Sequence, residues 1–184
     1  VHVGVVVRST DDRFAETVQA LETAGVHSLW FGVDDPAGDP IVLAAAAAVM
    51  TSRVGLTVVL DEPTAVTAKA VASLDALSAG RVRVVVKSAE GLALVRTMLS
   101  VGSAVPIRPG PVQERIPLWT TVPELAPEAD GLVVRQGTEP GDRRPLAVIV
   151  SDPESFEPLG FQEVALSVGD ALWETVGKVL SNPN

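Results

Sequence analysis

The 184-residue sequence predicts an α/β fold, a reduced TIM (β/α)8-type barrel with a regular first half and late helices shortened or missing. Three observations point there. Apolar, Val-rich runs begin at Val1, His27, Val54 and Arg81, a period of 26 or 27 residues with helical stretches between them, which is the mark of a βα repeat. The runs VHVGVVV, VGLTVVL and VRVVV are apolar almost throughout, as expected of parallel strands covered on both faces. Candidate strands at Ile116 to Val122, Gly131 to Arg135, Pro145 to Ser151 and Gln162 to Val168 then bring the number to eight, which closes such a barrel.

The elements follow in order. The first helix carries Phe14, Val18 and Leu21 at spacings of four and three, and Gly25 is a natural stop after it. Ile41 to Met50 is too short for a membrane span and reads as a buried, alanine-rich helix. The third helix places Leu74 and Leu77 on one face and ends at Gly80. The fourth strand then runs into a loop that begins Lys87-Ser88-Ala89-Glu90. Eleven of the fourteen prolines lie after Ser100, and Val101 to Arg115 reads as an irregular linker inside one domain, 1–184. The gaps after the fifth and sixth strands are shorter than the roughly dozen residues of a parallel crossover, so helices there are expected to be absent or a single turn. A final helix carries Leu172, Trp173, Val176 and Leu180. A barrel stripped on one side exposes apolar surface, which predicts a homo-oligomer.

Composition narrows the partners. A net charge of -9 argues against nucleic acid and anionic membrane, both of which call for clustered Lys and Arg. With no cysteine there is no thiolate nucleophile and no Cys-based metal site, which suits a cytoplasmic setting. The apolar run at residues 1–8 lacks the pattern of a signal peptide. His2 and His27 sit at strand beginnings, opposite the usual active-site end of a barrel, and make poor general bases. Asp34, Asp35, Asp61, Glu62, Glu90, Asp152 and Asp170 fall at strand ends, where carboxylates serve a hard cation or hydrolysis, but equally serve as helix caps and solvated loop charges. No metal site is assigned from them. Trp30, Trp119 and Trp173 read as core packing, with ligand stacking as the alternative.

Several segments together resemble the luciferase-like monooxygenase family, the FMN- or F420-dependent barrels related to bacterial luciferase. They are "FAETVQALETAGVHSLWFGVDD", "PIVLAAAAAVMTSRVGLTVVL", "AVTAKAVASLDALSAGRVRVVV" with its LD-x-LS-x-GR turn, "IPLWTTVPELAPEADGLVV" and "LGFQEVALSV". Asp75 and Arg81 in that turn read as a structural ion pair. The resemblance implies a cofactor at the C-terminal ends of the strands, near a glycine-rich segment after the fourth. Here those glycine positions hold Val85, Lys87 and Ala89, which obstruct close backbone approach, and Glu90 repels a phosphate. Lys87, with Arg8 and Arg135 at other strand ends, offers a compensating basic set, with solvated surface charge as the alternative. The candidate cofactor-binding residues are therefore Arg8, Asp61, Lys87, Ser88 and Arg135, while no catalytic residue is assigned.

Two functions remain open at this point. One is a flavin- or F420-dependent oxidoreductase or monooxygenase homologue acting on a small molecule. The other is a relative that binds no cofactor and serves as a binding or oligomeric assembly protein.

Overall fold

The Val-rich runs form eight parallel strands that close on themselves in sequence order. The computed structural model describes residues 1–8, 13–100, 108–138, 146–152, 160–167, 174 and 176–178. The strands are β1 (His2–Val6), β2 (Ser28–Phe31), β3 (Gly55–Leu60), β4 (Val82–Val86), β5 (Leu118–Thr120), β6 (Gly131–Arg135), β7 (Leu146–Val150) and β8 (Glu163–Leu166). Closure is made by β1 against β8, from His2 opposite Glu163 to Val5 opposite Leu166. The helices are α1 (Phe14–Thr23), α2 (Pro40–Met50), α3 (Ala65–Leu77) and α4 (Ala89–Leu99), with a short 3-10 helix, Pro123–Glu128, between β5 and β6.

The expected barrel is therefore present, with its regular half first. Each early helix has a physical start. Asp39 accepts from the backbone N–H of Ile41 and Val42, and Pro40 supplies the preset φ of a first helical residue. Thr64 and Thr67 cap α3 reciprocally. Gly25 and Gly80 take φ of +85° and +81° after α1 and α3, a region open to residues without a Cβ.

Alternate residues of each strand face either the helices or the lumen. The outward set, among it Val5, Leu29, Leu56, Val84 and Val148, packs with Val18, Leu21, Val71 and Val95 of the helices. The inward set is a second apolar cluster, with Val6, Trp30, Val59, Val85, Trp119, Val133 and Ile149 as its larger members. Gly131 is required by this packing, because a Cβ there would lie 2.5 Å from the Trp119 ring.

Several expectations need correction. The fourth strand is followed by helix rather than loop: Ser88 caps α4 by accepting from the Gly91 N–H, and Ala89 and Glu90 are its first residues. Helix α2 is buried only on its inner side, at Ala44, Ala47 and Ala48, while Val42 and Val49 are 64% and 66% exposed. Leu77 does not share the buried face of Leu74; a three-residue step carries it to solvent at the end of α3. Asp75 and Arg81 do not form an ion pair. The Asp75 carboxylate instead accepts from the backbone N–H of Val112 and Gln113 and from Gln113 Nε2, and Arg81 donates to the carbonyls of Ala48, Thr51, Val54 and Ser78. Both residues tie one βα unit to the next, so their role is structural.

The late half is sparse where it is described. The 3-10 helix is the whole of the crossover after β5, and 108–115 carries neither helix nor strand. Most of the linker core at 101–107, the connection at 139–145 and Leu172, Trp173 and Leu180 of the expected last helix lie outside the described residues. Glu174 and 176–178 are helical, with Val176 buried.

Candidate functional site at the barrel mouth

The lumen is built in layers, and the lowest is polar. Glu163, the first residue of β8, is 2% exposed and holds Arg83 of β4 in a two-pronged ion pair, Nη1 to Oε2 at 2.7 Å and Nη2 to Oε1 at 2.9 Å. Arg83 also donates to Thr57 Oγ1, and its guanidinium lies 5.0 Å from the Trp30 ring centre and 4.4 Å from that of Trp119. Ser28 Oγ and Trp30 Nε1 donate to Glu163 Oε1, the latter at 2.8 Å. Burial alone would raise the Glu163 pKa, but the hydrogen bonds and charge of Arg83, with the Ser28 and Trp30 donors, hold it below the usual carboxylate value. Every described buried side-chain polar atom has a partner. This layer is a satisfied polar plug, at the barrel end that usually serves stability.

Above the plug, Val59, Val85, Val133 and Ile149 floor a cavity of about 380 Å³. The volume falls in the range of small-molecule sites. One step of two residues further along β3, β4 and β6 from Val59, Val85 and Val133 stand Asp61, Lys87 and Arg135, and the same step along β1 from Val6 reaches Arg8. The period of the strand thus carries four of the five candidate residues to the C-terminal rim. Lys87 and Arg135 line the cavity together with Asp34.

The rim charges are engaged with one another. Lys87 Nζ lies 2.6 Å from Asp61 Oδ1, and Arg135 Nη2 lies 2.7 Å from Asp34 Oδ1. Arg8 donates to Ser167 Oγ at 3.4 Å. The Arg135 hydrogen bond lowers the pKa of Asp34 against its partial burial, and the charges of Arg135, Lys87 and Arg8 add to that effect. Asp34 in turn raises the pKa of Arg135. Ser88, the fifth candidate, has its hydroxyl committed to the α4 cap. In the sequence Asp34 is one acid among several at strand ends. Its place beside Arg135 depends on a contact across 101 residues that no local spacing announces.

The other candidates fall elsewhere. His2 and His27 stack at 3.9 Å at the opposite end of the barrel. Burial, and then the charge of His2, lowers the His27 pKa, with Glu163 opposing and Arg83 reinforcing. Trp30 and Trp119 are packed in the lumen, as core residues. Among the described residues no three His, Asp or Glu side chains converge to hold a metal ion. No described helix is long and apolar enough to cross a membrane.

An eight-stranded parallel barrel with a plugged base and an open, charged mouth at the C-terminal strand ends defines a TIM-type barrel protein, and that mouth is its candidate site. Residues 8–93 match the model of the family described as luciferase-like monooxygenase, a stretch that includes the first three of the quoted segments. No curated protein matches the chain in sequence.

Three solved structures share the fold. The coenzyme F420 dependent tetrahydromethanopterin reductase from Methanopyrus kandleri is 15% identical, with a TM-score of 0.62, over 82% of this chain and 65% of its own. The monooxygenase RslO1 from Streptomyces bottropensis is 16% identical, with a TM-score of 0.63, over 98% and 79%. The EDTA monooxygenase EmoA from Chelativorans sp. BNC1 is 12% identical, with a TM-score of 0.55, over 80% and 61%. The chain thus spans less than two thirds of the length of the reductase and of the EDTA monooxygenase.

Proposed function

We propose that the chain is a cytoplasmic, luciferase-like oxidoreductase homologue that takes FMN or F420 in the mouth cavity. The supporting observation is the valine-floored cavity of about 380 Å³ with Lys87 and Arg135 on its rim. An apolar floor suits the face of a flat heteroaromatic ring, and a cationic rim suits its anionic arm. The residues at the expected glycine positions fit this use. Val85 forms part of the floor, Lys87 leans to Asp61, and Ala89 has turned away into α4, so the cavity persists above them.

When bound, the flavin or deazaflavin supplies hydride exchange, and the flavin also oxygen activation. The valines keep water from one ring face. Arg135 and Lys87 would hold the anionic arm, with Arg8 as a flanking charge.

A second reading, a cofactor-less binding or assembly protein, is favoured by the carboxylates already paired with Lys87 and Arg135. In either case we propose a homo-oligomer, with the apolar outer side of α2 at Val42 and Val49, beside exposed Val66 of α3, covered by a second copy. Titration of the purified protein with FMN and with F420, followed by fluorescence and visible spectra, separates the two readings. Saturable binding and reduction by a nicotinamide donor support the oxidoreductase, and no binding at high micromolar cofactor leaves the assembly protein. Sedimentation that shows monomer at every concentration removes the oligomer.

A further inference from the structure

The mouth holds an anion already, and it belongs to the protein. Asp34 sits just past β2 with φ of +50°, a left-handed backbone that Asp and Asn tolerate better than most side chains. That turn delivers its carboxylate to Arg135 at 2.7 Å, within the field of Lys87 and Arg8. Asp34, Lys87 and Arg135 line one cavity. Arg135 thus meets a carboxylate carried on a loop, while Lys87 at the end of β4 meets a second one, Asp61.

We propose that Asp34 is a built-in occupant of a phosphate-binding site, and that the phosphate of an incoming ligand takes its place on Arg135. The inference rests on the mouth being the ligand site. Arg135 presents a planar fork that matches two phosphate oxygens, whereas Asp34 engages it through the single contact of Nη2 with Oδ1. The side chains of Arg135 and Asp34 are 59% and 51% exposed, so their pair is screened and readily exchanged. Lys87 keeps Asp61 as its own partner and acts as a flanking charge, as does Arg8, which meets the neutral Ser167 hydroxyl. Removing the Asp34 charge therefore leaves the cations in place and takes away their competitor.

The test is Asp34→Asn, which keeps the side-chain shape and the left-handed turn. Inorganic phosphate binding is measured by calorimetry at low ionic strength, and FMN and riboflavin binding by fluorescence. The expected result is phosphate and FMN binding tightened about fivefold, the size of an exposed ion-pair effect, with riboflavin unchanged. Arg135→Gln abolishes the phosphate binding, and thermal melts confirm that both variants fold. Phosphate binding that is absent from both proteins, or not tightened by Asp34→Asn, overturns the inference even where FMN binds. Tightened phosphate binding with no FMN or F420 binding upholds it while removing the cofactor reading.

Discussion

Arg83 and Glu163 meet face to face inside the barrel, two hydrogen bonds at 2.7 and 2.9 Å joining residues 80 positions apart, with the Trp30 and Trp119 rings beside the guanidinium. Such a pair contributes little net stability as a pair, because desolvation offsets its attraction, but either partner alone is a stranded charge. Glu163→Gln is expected to lower unfolding stability by about 3 kcal/mol, and Arg83→Met in the same protein to restore part of that loss. Denaturant unfolding of the two single variants and the double variant measures the coupling. Additive losses would contradict it.

Acid should act through the same carboxylate. The folded Glu163 pKa lies below the ordinary value, so its contribution is complete above the unfolded pKa of about 4.3 and is lost as pH falls toward the lowered folded value. Glu22 shifts in the same direction: burial would raise its pKa, but backbone N–H groups of Val54, Arg53 and Ser52 lower it. Stability measured by denaturant from pH 6 to pH 3 should fall for the wild type. The gap between wild type and Glu163→Gln should close toward the acid end.

At Gly131 the expected effect is steric. An added methyl would sit 2.5 Å from the Trp119 ring, itself held between the barrel wall and Arg83. Gly131→Ala should cost about 1–3 kcal/mol by overpacking and shift the Trp emission. Gly137→Ala serves as a comparison. Among the described residues no atom beyond its chain neighbours lies within 4 Å of a Cβ there, so the expected cost is that of a φ of +89°, with the emission unchanged.

Asp75→Ala removes the acceptor for three donors on Val112 and Gln113. The carboxylate is buried, and the segment it ties leads directly into β5. A loss of about 2–4 kcal/mol is expected from stranding those donors, together with faster amide exchange at Val112 and Gln113. Unchanged exchange would separate Asp75 from the linker.

Most of the barrel was legible because parallel strands covered on both faces read as unbroken apolar runs, and VRVVV and LAVIV leave little else to be. The start of α4 is obscured in the sequence because the resemblance places a cofactor loop there, whereas Ser88 stands at the spacing to Gly91 of an ordinary N-cap. At the rim, four of the candidates lie at strand ends, where the resemblance implies a cofactor, and period two carries them there whatever the rest of the chain does. Asp34 was not singled out, because its partner is set by closure of the barrel rather than by neighbours in sequence. The Arg83–Glu163 plug did leave a mark: a charge at a lumen-facing position within otherwise apolar VRVVV, and another opening EVAL. Reading the two together requires the strand order, which pairs β8 with β1 and places β4 across the lumen.

The plug also sets how deep anything can go. With an arginine–glutamate clasp and two indoles filling the shaft below Val59, Val85 and Val133, a visitor can rest only on a shelf near the strand tips. Selectivity among visitors must then come from the connecting residues that line the mouth, Asp34, Thr121, Pro123 and Thr138 among them, and exchanging these should change what is accepted while leaving the cylinder beneath them intact.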